Sequence, residues 1–413
     1  VGREFVADLV VGSTKRRLDL QALRALAVVA VVVNHSWPGL APGGYLGVDI
    51  FFVVSGYLIT RHLVGEHTRE GRIRLGRFYL RRARRLLPAA TVVLVAISLL
   101  TLAVVPQRQW GAFFTQIGAS ALYVQNWVLL TPVTGPMPDT AVRHFWSLSV
   151  EEQFYLAWPL LVIAGAALAA RLRRPTRPVL FVGASILVVA SLAYWIAASA
   201  ADYQLAYFST FSRAWEFAAG GALALLPGLA VRGRRADVLF WAGLAALVAS
   251  IVGFADNPGA WAIIPIAATI AIIVSSNEAL PASGRWIVGW RPVQFTGDIS
   301  YALYLWHWPV LLFAPYITGV PSETWFMLLL LAFAVVLSWA TTHFVENPIR
   351  RTPLDGRQFR PQRRFASAAV GAGLLLTLGV SAVGSWADSP KDAPAVACLE
   401  RGVFREPAPA TVD

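Results

Sequence analysis

Residues 20–37 read LQALRALAVVAVVVNHSW. As a helix rising 1.5 Å per residue this stretch is about 27 Å long, close to the roughly 30 Å hydrocarbon core of a bilayer. Only Arg24 and His35 in it can carry a charge. They stand eleven positions apart (35 − 24), about three turns, which puts them on one face some 16 Å from each other. Arg24 alone reads as a side chain snorkelling to the headgroups, and His35 alone as a packing histidine near the interface. An ionisable group within a membrane span is costly and marks function by default. Two on one face favour a polar track through a helix bundle.

The rest of the chain repeats the apolar pattern. It is 57% hydrophobic and 14% charged, with mean hydropathy +0.58, whereas soluble domains carry about 25% charged residues. Further stretches of this kind cover 44–64, 86–105, 145–169, 179–198, 208–226, 239–254, 261–275, 299–317, 325–342 and 365–386. No polar tract is long enough for a soluble catalytic domain, so the expected fold is an all-α polytopic membrane protein. The net charge of +12 would suggest nucleic acid in a soluble protein. Here the excess is arginine in short connections, at 15–17, 61–85, 171–177, 232–235, 285–291 and 350–364. Every second connection is basic, as the positive-inside rule requires for a cytoplasmic N-terminus. The apolar stretch 110–130 breaks this alternation if it crosses, and is expected to be re-entrant or surface-lying. Eleven spans then place the C-terminus outside.

No cleavable signal peptide is evident at the start. Cys398 is the single cysteine, which supports neither a metal cluster nor a redox pair. In a Pro- and Ala-rich outer tail it reads either as a free thiol or as a sign that a following outer domain is missing.

Five further segments carry polar groups where lipid disfavours them. Residues 43–59, GGYLGVDIFFVVSGYLI, combine glycines that permit close helix approach with Asp49, which on its own reads equally as a capping aspartate. Residues 77–85 hold five arginines, including Arg81, Arg82, Arg84 and Arg85. They bind either anionic lipid headgroups or a phosphate-bearing cytoplasmic ligand. Residues 144–155, HFWSLSVEEQFY, place Ser147, Glu151 and Tyr155 on one face by i, i+4 spacing, with Glu152 adjacent. Because this span runs inwards, Glu151 is expected near the depth of His35, where a carboxylate would fix the imidazole's tautomer and raise its basicity. The alternative is a water-exposed helix start. Arg213 and Glu216, spaced i, i+3, neutralise one another. Residues 299–310, ISYALYLWHWPV, put His307 near mid-membrane with Tyr304 on its face.

In their order, Arg24 with ten residues before His35, the 43–59 block, RRARRLLP at 81–88, FWSLSVEEQFY at 145–155 and ISYALYLWHWPV resemble acyltransferase family 3, membrane proteins that acylate bacterial surface glycans. The resemblance implies about ten core helices over 18–348, after a cytoplasmic segment 1–17. A basic linker 349–364, an eleventh transmembrane helix 365–386 and an extracytoplasmic tail 387–413 would follow, the tail starting a hydrolase-like domain that is absent here. It further implies the bacterial cell (inner) membrane, an acyl-CoA donor on the cytoplasmic side and a carbohydrate or glycolipid acceptor outside. His35 is then essential, with Arg24 its companion and Arg82 and Arg85 the best match to the donor-binding arginines. Glu151 is the first choice to orient His35, with Glu152 or Asp49 as alternatives. Ser147, Tyr155, Tyr304 and His307 would support the substrate or the structure, and no metal is called for. The rival class is a transporter, since intramembrane charges also mark permeation paths, but the repeated halves common in transporters are not found.

Overall fold

Within hydrocarbon every peptide N–H and C=O must be satisfied by the chain itself, which makes helices the economical solution. The computed structural model describes residues 17–131, 139–226, 229, 231–254, 259–276, 280–319, 323–350 and 361–387, and no strand occurs among them. The principal helices are α1 (Leu18–Ser36), α2 (Gly47–Glu70), α3 (Leu75–Val104), α4 (Trp110–Ala121), α5 (Phe145–Arg171), α6 (Thr176–Ala201), α7 (Thr210–Leu225), α8 (Arg234–Gly253), α9 (Ile263–Ser275), α10 (Arg291–Thr318), α11 (Thr324–Ala340) and α12 (Pro361–Ala387). Each of the eleven apolar stretches lies largely within one of these, and seven of the helices are long and apolar enough to cross a membrane. The chain is an all-α polytopic membrane protein. Most of segment 1–17, residues 351–360 of the basic linker, and nearly all of the tail with Cys398 lie outside the described residues.

One expectation changes and one is narrowed to the first of its two alternatives. The arginine-rich stretch is not a loop. α2 ends on Gly71, whose φ of 68° and N–H bond to the His67 carbonyl form a left-handed cap, and α3 begins at Leu75. Arg, Leu and Ala are strong helix formers, so the helix continues past the apolar span and carries its arginines on defined faces. The stretch 110–130 is not surface-lying either. α4 has twelve residues, about 18 Å, too short to cross, and Phe113, Phe114, Gln116 and Ile117 are buried in it. The break that follows, with Tyr123 at φ 55°, exposes Leu122 and Val124 but buries Gln125 and Asn126, whose side chains hydrogen-bond within the protein. Gln125 Nε2 donates to Gln116 Oε1 at 2.7 Å, Thr140 Oγ1 donates to the same oxygen at 2.7 Å, and Gln153 Nε2 donates to Asn126 Oδ1 at 2.9 Å and to the Tyr123 carbonyl. A re-entrant element fits these facts.

α1 is wedged between α2 and α10, α2 crosses α7, and α12 lies on α3 and α4. The α2–α7 crossing is backbone on backbone. A Cβ on Gly56 would fall on the Phe217 main chain, and one on Gly220 on the Val53 carbonyl. Glycine is needed there for proximity and not for its dihedral freedom. We expect Gly220→Ala to destabilise the detergent-solubilised protein by about 1–3 kcal/mol, the usual cost of overpacking. Gly183→Ala, on α6 with open space around it, should leave the unfolding midpoint unchanged.

Candidate active site

The polar residues of the bundle fall into two chambers. The first is lined by Arg24, Arg82, Arg85, Ser55, Glu151, Tyr155, Ser147, Ser300, Tyr301 and Tyr304. The second is lined by His35, Asn34, Arg143, His144, Tyr45, Trp146, Tyr203, Gln204, Tyr207, Tyr304 and Trp308. α1 thus presents its arginine to one chamber and its histidine to the other. Tyr304 borders both. Its hydroxyl donates to the His144 carbonyl at 3.0 Å and shares a 2.6 Å hydrogen bond with Ser147 Oγ. The pair forms part of the wall between the chambers, together with Val48, which also borders both.

In the arginine chamber, Arg24 Nη1 donates to Gln21 Oε1 at 2.9 Å, and Gln21 in turn donates to Asp298. The Arg82 guanidinium lies 3.3 Å from the centroid of the Tyr155 ring, a cation–π contact. Ser55 Oγ donates to Glu151 Oε1 at 2.6 Å, and the Tyr155 hydroxyl donates to the same carboxylate. Glu152, one position on from Glu151, is half-buried and is not among the residues lining the chamber. Of the four arginines expected to act together, only Arg82 and Arg85 line the chamber. Positions 82 and 85 share a face at i, i+3 and 84 is rotated away from it, whereas Arg81, at i, i+4 from Arg85, is drawn off by partners on α2. Arg81 Nη2 reaches His62 Nε2 at 3.1 Å and Glu66 at 3.6 Å.

In the histidine chamber, His35 Nδ1 lies 2.9 Å from His307 Nε2. The two rings are almost parallel, 6° apart, and Trp308 lies against His35 with centroids 4.8 Å apart. His307 is fully buried, and its Nδ1 is 3.1 Å from the Leu303 carbonyl. The expected contact of His35 with Glu151 is not made. The turn before α5 is already inside the bundle, with Thr140, Ala141 and Val142 all buried. His144, whose ring centroid is 5.5 Å from that of His307, therefore occupies the level expected for Glu151, which sits seven residues, or about 10 Å, further along. His144 is a site residue that sequence reasoning passed over as a helix start. Among the described residues no group of three or more His, Cys, Asp or Glu side chains is arranged to hold a metal ion.

Asp49 does not meet His35 either. Its Oδ1 pairs with Arg213 Nη1 at 3.2 Å, and the same nitrogen pairs with Glu216 Oε1 at 2.7 Å. All three side chains are at most 1% exposed. The Arg213 guanidinium lies 4.6 Å from the Trp195 ring centroid and 5.0 Å from that of Tyr207. The i, i+3 pair is thus a triad joining α2 to α7 behind the chamber wall.

The description Acyltransferase domain, of the Acyl_transf_3 family, matches residues 17–343. The chain belongs to acyltransferase family 3. Among relatives in this family, the peptidoglycan O-acetyltransferase OatA of Listeria monocytogenes is 30% identical over 81% of this chain and 56% of its own length. The O-acetyltransferase OatA of Staphylococcus aureus is 30% identical over 87% and 61%. The putative peptidoglycan O-acetyltransferase YrhL of Bacillus subtilis is 29% identical over 80% and 54%. The chain therefore spans between half and two thirds of the length of these family relatives. No solved structure matches it.

Removing one member of a buried ion pair strands the other, at a cost of roughly 3–5 kcal/mol. Arg213→Met, which strands both Asp49 and Glu216, should accordingly lower the unfolding midpoint in detergent, whereas Asp49→Asn leaves Arg213 paired with Glu216 and should lower it far less, as a thermal melt of the purified variants would read.

Proposed function

We propose that this chain is the membrane part of an O-acyltransferase that moves an acetyl or longer acyl group from acyl-CoA to a hydroxyl of a cell-surface glycan or glycolipid. The observation that carries this reading is the single helix α1 offering Arg24 to one chamber and His35 to another, with Tyr304 and Val48 bordering both. The arginine chamber suits a phosphorylated donor, because guanidinium groups bind phosphate in bidentate fashion. The histidine chamber, rich in tyrosine, tryptophan and amide side chains, suits a sugar. The printed names of the relatives point to peptidoglycan as the acceptor class. Loop charge puts the N-terminus and the arginine chamber on the cytoplasmic side of a bacterial cell membrane, and the end of α12, the helix beyond the matched region, outside.

In the reaction, His35 removes the proton of the acceptor hydroxyl as that oxygen attacks the thioester carbonyl. The tetrahedral intermediate collapses with loss of the coenzyme A thiolate, and the thiolate takes the proton back from the imidazolium. General-base assistance of this kind contributes about 10²- to 10⁴-fold. In this reading the thioester passes the wall that Tyr304 and Ser147 share on its way to His35, and the hydrogen bond between them contributes only about 0.5–1.5 kcal/mol net. Arg82 and Arg85 hold the donor, and Glu151, fixed by Ser55 and Tyr155, balances their charge.

The test is coenzyme A release from acetyl-CoA by purified protein supplied with solubilised cell-wall glycan. His35→Ala should remain folded and lose release to the background; full activity in that variant would refute the role. Arg82→Ala and Arg85→Ala should each raise the KM for acetyl-CoA by about tenfold, corresponding to roughly 1.4 kcal/mol of binding, while Arg81→Ala should leave it unchanged. A transporter would release no coenzyme A at all.

A further inference from the structure

The geometry points to His307 as the positioning residue of the base: we infer that a relay from the Leu303 carbonyl through His307 holds the His35 proton on Nδ1 and leaves its Nε2 bare. The inference rests on the reading of His35 as a general base. A carbonyl oxygen only accepts, so the 3.1 Å contact of His307 Nδ1 with Leu303 O requires a proton on that nitrogen. A neutral imidazole carries one proton, so His307 Nε2 is then an acceptor. The 2.9 Å contact between His307 Nε2 and His35 Nδ1 therefore needs the hydrogen on His35 Nδ1. That leaves the lone pair of His35 on Nε2, the only ring nitrogen of His35 not engaged with His307, in a residue that borders the second chamber.

The hydrogen bond at one ring nitrogen decides which form the other takes. In the familiar hydrolase triad this duty falls to a carboxylate. Here a neutral ring performs it, anchored to the main chain one turn back on α10. The exchange has a physical logic. A buried carboxylate carries a heavy desolvation cost unless it is paired, whereas His307, fully buried, adds no charge. When His35 takes the acceptor's proton on Nε2, its Nδ1–H is still directed at the His307 lone pair, which steadies the imidazolium. No proton passes to His307, so the proton count of the transfer step is unaltered. The near-parallel rings, 6° apart, and the Trp308 ring against His35 hold this alignment.

The test has two arms. In nitrogen-15 spectra of histidine-labelled protein in lipid, the His35 signals, identified by their loss in His35→Ala, should show a protonated Nδ1 and a bare Nε2, with a coupling across to His307 Nε2. A protonated Nε2 and bare Nδ1 on His35 would overturn the inference, and this arm does not depend on any acyl transfer. In the second arm, His307→Leu should lower kcat for coenzyme A release from acetyl-CoA by roughly 10²-fold or more, within the range that general-base assistance supplies, with KM unchanged. His307→Gln, whose amide oxygen can accept from His35 Nδ1, should restore kcat to within about tenfold of the parent. Equal loss in both variants, or none in His307→Leu, would overturn the inference. If the parent releases no coenzyme A, the proposed reaction fails while the spectra still decide the tautomer.

Discussion

No water stands ready in hydrocarbon to satisfy a polar atom, so polar side chains in the bundle gain by meeting one another. That constraint sorts the interior. Amides close the break after α4. Arg213 and two carboxylates tie α2 to α7. His35, His307 and the Leu303 carbonyl form a chain that carries no charge. Ser55, Glu151 and Tyr155 form a fourth group. Only in the last does an ionised side chain border a chamber that also holds Arg24, Arg82 and Arg85, and this is where a charged ligand has most to gain.

The division of labour along α1 follows from its geometry. Eleven residues bring Arg24 and His35 back to one face but leave them about three turns apart, so they face different chambers and act on different parts of a substrate that lies along the helix. The neighbouring helices supply what each end requires. α3 contributes guanidinium groups by helical period, and α10 contributes Tyr304 to the wall between the chambers and His307 to the histidine end.

The positions of the helices were legible because burial in lipid is written in hydropathy alone. Their extents were not: α3 and α10 begin well before their apolar parts, since helix propensity is indifferent to where the bilayer ends. Helical period over 75–85 sets Arg84 apart from Arg82 and Arg85, but it leaves Arg81 beside Arg85, and only the fold shows Arg81 held by His62 and Glu66. The pairing of Glu151 with His35 failed on depth, because the start of α5 was taken for the membrane surface although the turn before it is buried. His144 was in plain view beside a recognisable motif. The amide cluster of Gln116, Gln125, Asn126 and Gln153 was not, because each of these residues is unremarkable in its own stretch and only the fold collects them.

The contact between Tyr304 and Ser147 has a consequence for the cell's energy supply. A polar route through a membrane is a potential proton leak, and each elementary charge that crosses 100 mV dissipates about 2.3 kcal/mol. Two hydroxyls that grip one another and a main-chain carbonyl occupy hydrogen-bonding positions that a water wire past them would use. In the proposed reaction the same contact opens for an acyl group and closes again between turnovers.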